Sequence, residues 1–198
     1  MNLSRWKTAL IFALSLSGVG LGIACGTAPQ KNDGPAPRLN DEGGWLEQPQ
    51  VPASIRVPAG ANLLARFHAV GTQIYTCKPS ASGTPAWVLK APAAQLFDAK
   101  ENRAGTHGEG PSWMSVDGSS VRGKKIAQVD APPADAIPWL LVQATAHDGA
   151  GVFSKVEYVQ RVNTNQGKAP ASGCEGEKPD AELSVDYSAD YYFYGGVK

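Results

Sequence analysis

Apolar and polar residues alternate along the C-terminal stretch. Leu183, Val185, Tyr187, Ala189, Tyr191 and Phe193 share one parity, and Ser184, Asp186, Ser188 and Asp190 share the other. A period of two marks a half-buried strand, so the odd-numbered side chains are expected to face a core and the even-numbered polar ones solvent. Leu63, Ala65, Phe67 and Ala69 alternate in the same way with Asn62, Arg66 and His68, and the extended pattern resumes from Thr72 to Cys77. Gly71 interrupts it, which predicts a bulge or bend there. The segments 139–147 and 152–163 are both β-rich, and Asp148-Gly149-Ala150-Gly151 between them is a turn signal, so together they read as a hairpin. Shorter strand candidates are Trp87 to Lys90 and Lys124 to Val129, while Ala93 to Asp98 fits either one helical turn or a strand. No long amphipathic helix interrupts the strands. The pattern predicts an all-β domain, an antiparallel sandwich or barrel with Gly/Pro-rich loops, and it disfavours a parallel α/β sheet.

Composition supports frequent turns, with 22 Gly and 15 Pro among 198 residues. Lys and Arg number 18 against 18 Asp and Glu. Without a basic excess to neutralise phosphates, nucleic acid is not an expected partner.

The N-terminus carries a different message. Arg5 and Lys7 precede an uncharged run from Ala9 to Ala24 that ends in small residues before Cys25. This is the layout of an export signal, and the run is too short for a spanning helix, which needs about 20 apolar residues. Leu21-Gly22-Ile23-Ala24-Cys25-Gly26 resembles a bacterial lipoprotein cleavage box, although Leu21 sits one place early and Gly22 takes the usual leucine position. Lipid on Cys25 is therefore expected as the protein's one attachment to a membrane, with ordinary secretion as the alternative. Removing residues 1–24, two of which are basic, leaves 174 residues with 16 basic and 18 acidic side chains. Residues 25–50 are rich in Pro, Gly, Asn, Asp and Gln and read as a flexible tether, and residues 51–198 as a single β domain. With Cys25 assigned to lipid, Cys77 and Cys174 remain as one pair for an oxidising compartment, expected as a disulfide; two separate buried thiols are the alternative.

Six strings in order sharpen the picture. They are Gly71-Thr72-Gln73-Ile74-Tyr75-Thr76-Cys77; His107 with Gly110-Pro111-Ser112-Trp113; Asp117-Gly118-Ser119 with Gly123; Ala136-Ile137-Pro138-Trp139-Leu140-Leu141; Gln160-Arg161-Val162-Asn163-Thr164; and Ala189-Asp190-Tyr191-Tyr192-Phe193-Tyr194. Over roughly residues 51–194 the chain resembles the exported bacterial and fungal proteins called domain of unknown function 3455. The resemblance implies export, this domain extent and the Cys77 to Cys174 pairing, and it implies no mechanism. In that family an aromatic residue often follows the histidine, whereas here Gly108 and Glu109 follow His107. Some fungal members carry a malate dehydrogenase label, but the phosphate-cradling glycine turn of a nicotinamide enzyme is not found in the mature chain, and no cofactor is expected.

The candidate chemistry gathers around His107. A titratable imidazole, the carboxylate of Asp117, the π face of Trp113 and several glycines fall within one turn-rich stretch, with Gln73 or Tyr75 as the expected partner from another strand. The leading expectation is a non-catalytic binding module for a small polar or saccharide-like ligand. The alternatives are a hydrolase or metal-dependent enzyme using His107 and Asp117, and a structural envelope protein. His68, His107 and His147 have no metal-ligand spacing, so no metal site is expected. There is no Gly-x-Ser-x-Gly elbow around Ser112 or Ser119. The sequence implies no particular oligomeric state.

Overall fold

The computed structural model describes residues 47–79, 83–175 and 177–196. The expected signal segment, Cys25 and nearly all of the expected tether lie outside them. Eight strands follow in chain order: β1 Asn62–Pro79, β2 Pro85–Phe97, β3 Arg103–Gly108, β4 Ser112–Ser115, β5 Ser120–Val129, β6 Trp139–Asp148, β7 Tyr158–Gln166 and β8 Glu182–Gly195. Each pairs antiparallel with the next, and β8 returns to β1, so the sheet closes into an up-and-down barrel with no free edge. The all-β, antiparallel expectation holds, and closure decides for a barrel over a sandwich. Among the described residues the only helical element is a 3₁₀ turn, Ala53–Ile55.

The interior follows the predicted parity. Ala65, Ala69, Tyr187, Ala189, Tyr191 and Phe193 are buried in one cluster with Leu96, Trp113, Val121, Val142 and Val159. On β8 the even parity departs from expectation, because Asp190, Tyr192 and Tyr194 are buried as well. The reason is a second apolar cluster in which Tyr192 and Tyr194 pack with Ala61, Leu63 and Val162, with Val51 and Val57 against them. The strap preceding β1 thus covers the outside of β8. Gln160 fastens it, accepting from the Tyr194 hydroxyl at 2.8 Å and donating to the Ile55 carbonyl at 2.7 Å.

Three local expectations change. The irregularities of β1 fall at Leu63/Ala65 and Ile74/Tyr75 rather than at Gly71. Gly71 instead serves close approach, since a Cβ there would lie 2.2 Å from the Ala93 carbonyl oxygen. The expected strand from Val152 begins only at Tyr158. Its first residues form a loop that inserts Phe153 and Val156, both fully buried, into the barrel cluster. The turn-rich stretch read as a binding loop around His107 and Trp113 instead forms the short β3–β4 hairpin, Arg103–Gly108 with Ser112–Ser115.

Cys77 and Cys174 are disulfide-bonded with Cα atoms 5.5 Å apart, tying the end of β1 to the loop before β8. That separation lies within the ordinary range for the bond.

Candidate functional site

Directly opposed residues form a row across five strands: Tyr187, Gly71, Ala94, His107 and Trp113. Directly opposite residues in antiparallel strands point to the same side of the sheet, so this row faces the interior. Gly71 and Ala94 are small, and the volume they leave is filled by the large members of the row. The imidazole of His107 stacks on the Trp113 ring with centroids 4.8 Å apart and planes 10° from parallel, and Tyr191 approaches both rings at 5.0 and 5.6 Å. The hairpin itself orients His107. Its Nδ1 is 2.8 Å from the Ser112 carbonyl oxygen, and because a carbonyl only accepts, Nδ1 carries the proton. Burial pushes the His107 pKa down to about 4, against the raising effect of the Ser112 carbonyl and helped by the nearby Arg161 cation.

Above this row the interior becomes polar. Arg161 on β7 lies opposite Tyr191 and is buried, and its Nε and Nη2 both donate to the Pro138 carbonyl, at 3.1 and 2.8 Å. Among the described residues no carboxylate pairs with it. The hydroxyls of Tyr187 and Tyr191 are 3.5 Å apart, and burial raises the pKa of both, so they remain neutral donors. Tyr75 donates to the Gly167 carbonyl at 2.6 Å. Gly167, at φ +90, lies against this group: a Cβ there would meet Tyr187 Cβ at 2.8 Å, Ile137 at 3.1 Å and Gln73 at 3.4 Å. Two donors in this interior stand unsatisfied and fully buried, Nε2 of Gln73 and Nε1 of Trp113.

The structure thus places Gln73 and Tyr75 beside Gly167, stacks His107 on Trp113 in the adjoining part of the interior, and does not bring Asp117 to either pair. Asp117 sits in the exposed turn after β4. Its Oδ1 accepts from the Ser119 backbone N–H at 2.9 Å and from Ser119 Oγ at 2.6 Å, and its Oδ2 accepts from the Val152 N–H at 2.8 Å. The Ser119 hydroxyl and the Val152 N–H hold its pKa down at about 2. Oδ1 thus braces the β4–β5 turn itself, and Oδ2 ties that turn to the β6–β7 loop. A Cβ on Gly151 would lie 2.4 Å from Oδ2, so that loop needs glycine where it meets the carboxylate. His107 and Asp117 engage separate partners and do not form the hydrogen-bonded base and orienter of a hydrolase.

Arg161, Tyr187 and Tyr191 were missed as site residues. Their signal was parity: opposite Tyr191, on the inward side of β8, an arginine has to enter the core.

Two features lie outside this interior. Asp190 is buried on the outer face, where its carboxylate is held by Asn163 at 2.9 Å, His68 Nδ1 at 2.9 Å and Arg66 at 3.0 Å. Burial alone would raise its pKa, and these three partners outweigh it and hold the carboxylate low. An open groove of about 410 Å³ lies between Val88 and Leu89 on one side and Lys78, Glu109 and Asp180 on the other, with the Lys90–Glu182 ion pair among its lining. Among the described residues no group of three or more His, Cys, Asp or Glu side chains could hold a metal ion.

The fold and interior define an eight-stranded up-and-down barrel with an apolar half and a donor-rich half. The chain belongs to the family described as protein of unknown function (DUF3455), whose profile matches residues 58–195. No curated protein and no solved structure matches the chain.

Proposed function

We propose that this protein is a non-catalytic binding module that takes a small polar ligand into the donor-rich half of its barrel. The observation that carries the reading is the fully buried and unsatisfied Gln73 Nε2. Folded proteins leave few such groups unpaired, because each costs about 1–3 kcal/mol, and an eight-stranded barrel is wide enough either to be filled by side chains or to hold one small molecule. The test is a thermal-shift screen of small polar solutes on the wild-type chain and on Gln73→Leu. Leucine nearly matches the glutamine in shape and removes the unpaired donor, so the variant folds with equal or greater stability and loses the ligand-dependent shift. A Gln73→Leu variant that responds like wild type counts against the reading.

The 410 Å³ groove supports a second reading, since it is open, of ordinary ligand size and places exposed Val88 and Leu89 beside charged groups. Loss of the ligand response in Leu89→Ser rather than in Gln73→Leu selects it.

The proposed setting is outside the cytoplasm, with lipid on Cys25 holding the barrel at the end of a tether. The cleavage-box resemblance supports this, and the Cys77–Cys174 disulfide fits an oxidising compartment. Cys25→Ser is expected to move the protein from the membrane fraction to the soluble fraction. Unchanged fractionation argues against the anchor.

A further inference from the structure

We infer that the ligand of the polar interior is a small oxyanion, a carboxylate or phosphate group, bound by Arg161 and Gln73. This rests on the reading of the barrel as a binding module and names the class of its ligand. This interior is rich in donors. Arg161 brings a guanidinium, Gln73 an Nε2 with no acceptor at hydrogen-bond geometry, and Tyr187 and Tyr191 neutral hydroxyls held against ionisation by burial. Among the described residues the guanidinium meets only neutral groups: the Pro138 carbonyl accepts from Nε and Nη2, and the Tyr191 hydroxyl lies beside it.

A buried cation without a carboxylate partner is among the costliest arrangements in a protein interior. Asp190, the nearest acidic residue along β8, is opposite Val162 rather than Arg161 and is committed to Arg66, His68 and Asn163 on the outer face. Among the described residues no carboxylate balances Arg161, and in this proposal a bound group supplies the negative charge. The guanidinium suits an oxyanion, because its planar fork matches carboxylate and phosphate oxygens. Arg161 and Tyr75 keep 9% and 8% of their surface exposed, against 1% for Gln73 and Tyr191, which places the approach on their side.

The experiment uses the purified full-length chain, with sodium acetate, inorganic phosphate and neutral glucose added separately at constant ionic strength set by sodium chloride. Acetate, phosphate or both are expected to raise Tm in a saturable way that chloride does not reproduce, and whichever saturates at lower concentration distinguishes carboxylate from phosphate. Arg161→Lys keeps the charge and loses the fork, and is expected to weaken that binding at least tenfold. Arg161→Gln removes the charge and is expected to abolish it. If Arg161→Gln does not fold, the Arg161→Lys and Gln73→Leu titrations still decide. Anion stabilisation of equal strength in wild type and Arg161→Lys overturns the assignment. Stabilisation of wild type by glucose and not by anions, lost in Gln73→Leu, overturns it while leaving the binding-module reading standing. No response to any of the three solutes overturns the oxyanion assignment.

Discussion

His107 ties the stability of the barrel to pH. In the unfolded chain its imidazole titrates at its ordinary 6.5, and in the barrel burial pushes it down to about 4. Between these values the unfolded chain holds a proton that the native state refuses, so stability rises with pH across the window and is lost as pH falls from 6.5 to 4. At about 1.4 kcal/mol per pH unit, the fall in pKa from 6.5 to about 4 amounts to about 3.5 kcal/mol. For a domain of this size that is a fall of roughly 7–14 °C in Tm. His107→Gln keeps an N–H for the Ser112 carbonyl and removes the titration. It starts from a lower stability because the stacking on Trp113 is lost, but its stability is expected to be flatter between pH 6.5 and 4. The carboxylates held low at Asp98, Asp117 and Asp190 act only below about 3.8, and Glu175 only below about 4.5, at the acid edge of this window and equally in both proteins. Urea denaturation followed by tryptophan fluorescence, at steps from pH 4 to 7.5, gives both curves. Parallel curves for wild type and His107→Gln would refute the buried, neutral assignment of His107.

The Asp117 clamp is expected to contribute about 1–2 kcal/mol, kept small by its exposure, so Asp117→Asn lowers the urea midpoint accordingly and removes the acid loss between pH 3.8 and about 2. Gly151→Ala drives a methyl group into that carboxylate, so its cost falls when Asp117→Ala is already present; strict additivity in the double-mutant cycle contradicts the contact. The disulfide closes a separation of 97 residues, so Cys77→Ser with Cys174→Ser is expected to cost about 4–5 kcal/mol, and a loss below about 1 kcal/mol counts against that estimate.

Where burial followed a strict period of two, the sequence revealed the architecture. The inward side of β8 and the alternation from Ala65 to Ala69 in β1 were legible because each long strand buries one face in a single closed core, whereas the irregularity at Leu63/Ala65 turns Leu63 to the outer cluster. The outer burial of Tyr192 and Tyr194 was not, because it depends on the strap from Val51 to Ala61, whose own sequence has no strand period. The β3–β4 hairpin escaped for a different reason: with six and four residues, its strands are too short for periodicity to register. Gly108-Glu109-Gly110-Pro111 was its available turn signal, and reading it would have put His107 opposite Trp113. Proximity in sequence placed Asp117 beside them, but β4 carries the chain away from that row to a turn where the backbone satisfies the carboxylate. Arg161 was hidden because its polar neighbours Gln160 and Asn163 mask the parity of β7.

The central claim is that the donor-rich half of the barrel is completed by a bound molecule. A crystal structure of the purified full-length chain, grown with acetate or phosphate present, tests it most directly. The account predicts density for an oxyanion within hydrogen-bond distance of the Arg161 guanidinium and Gln73 Nε2, with the His107–Trp113 stack unchanged beside it. Gln73 Nε2 donating to a protein carbonyl or to a single water, with no anion at Arg161, would contradict the account.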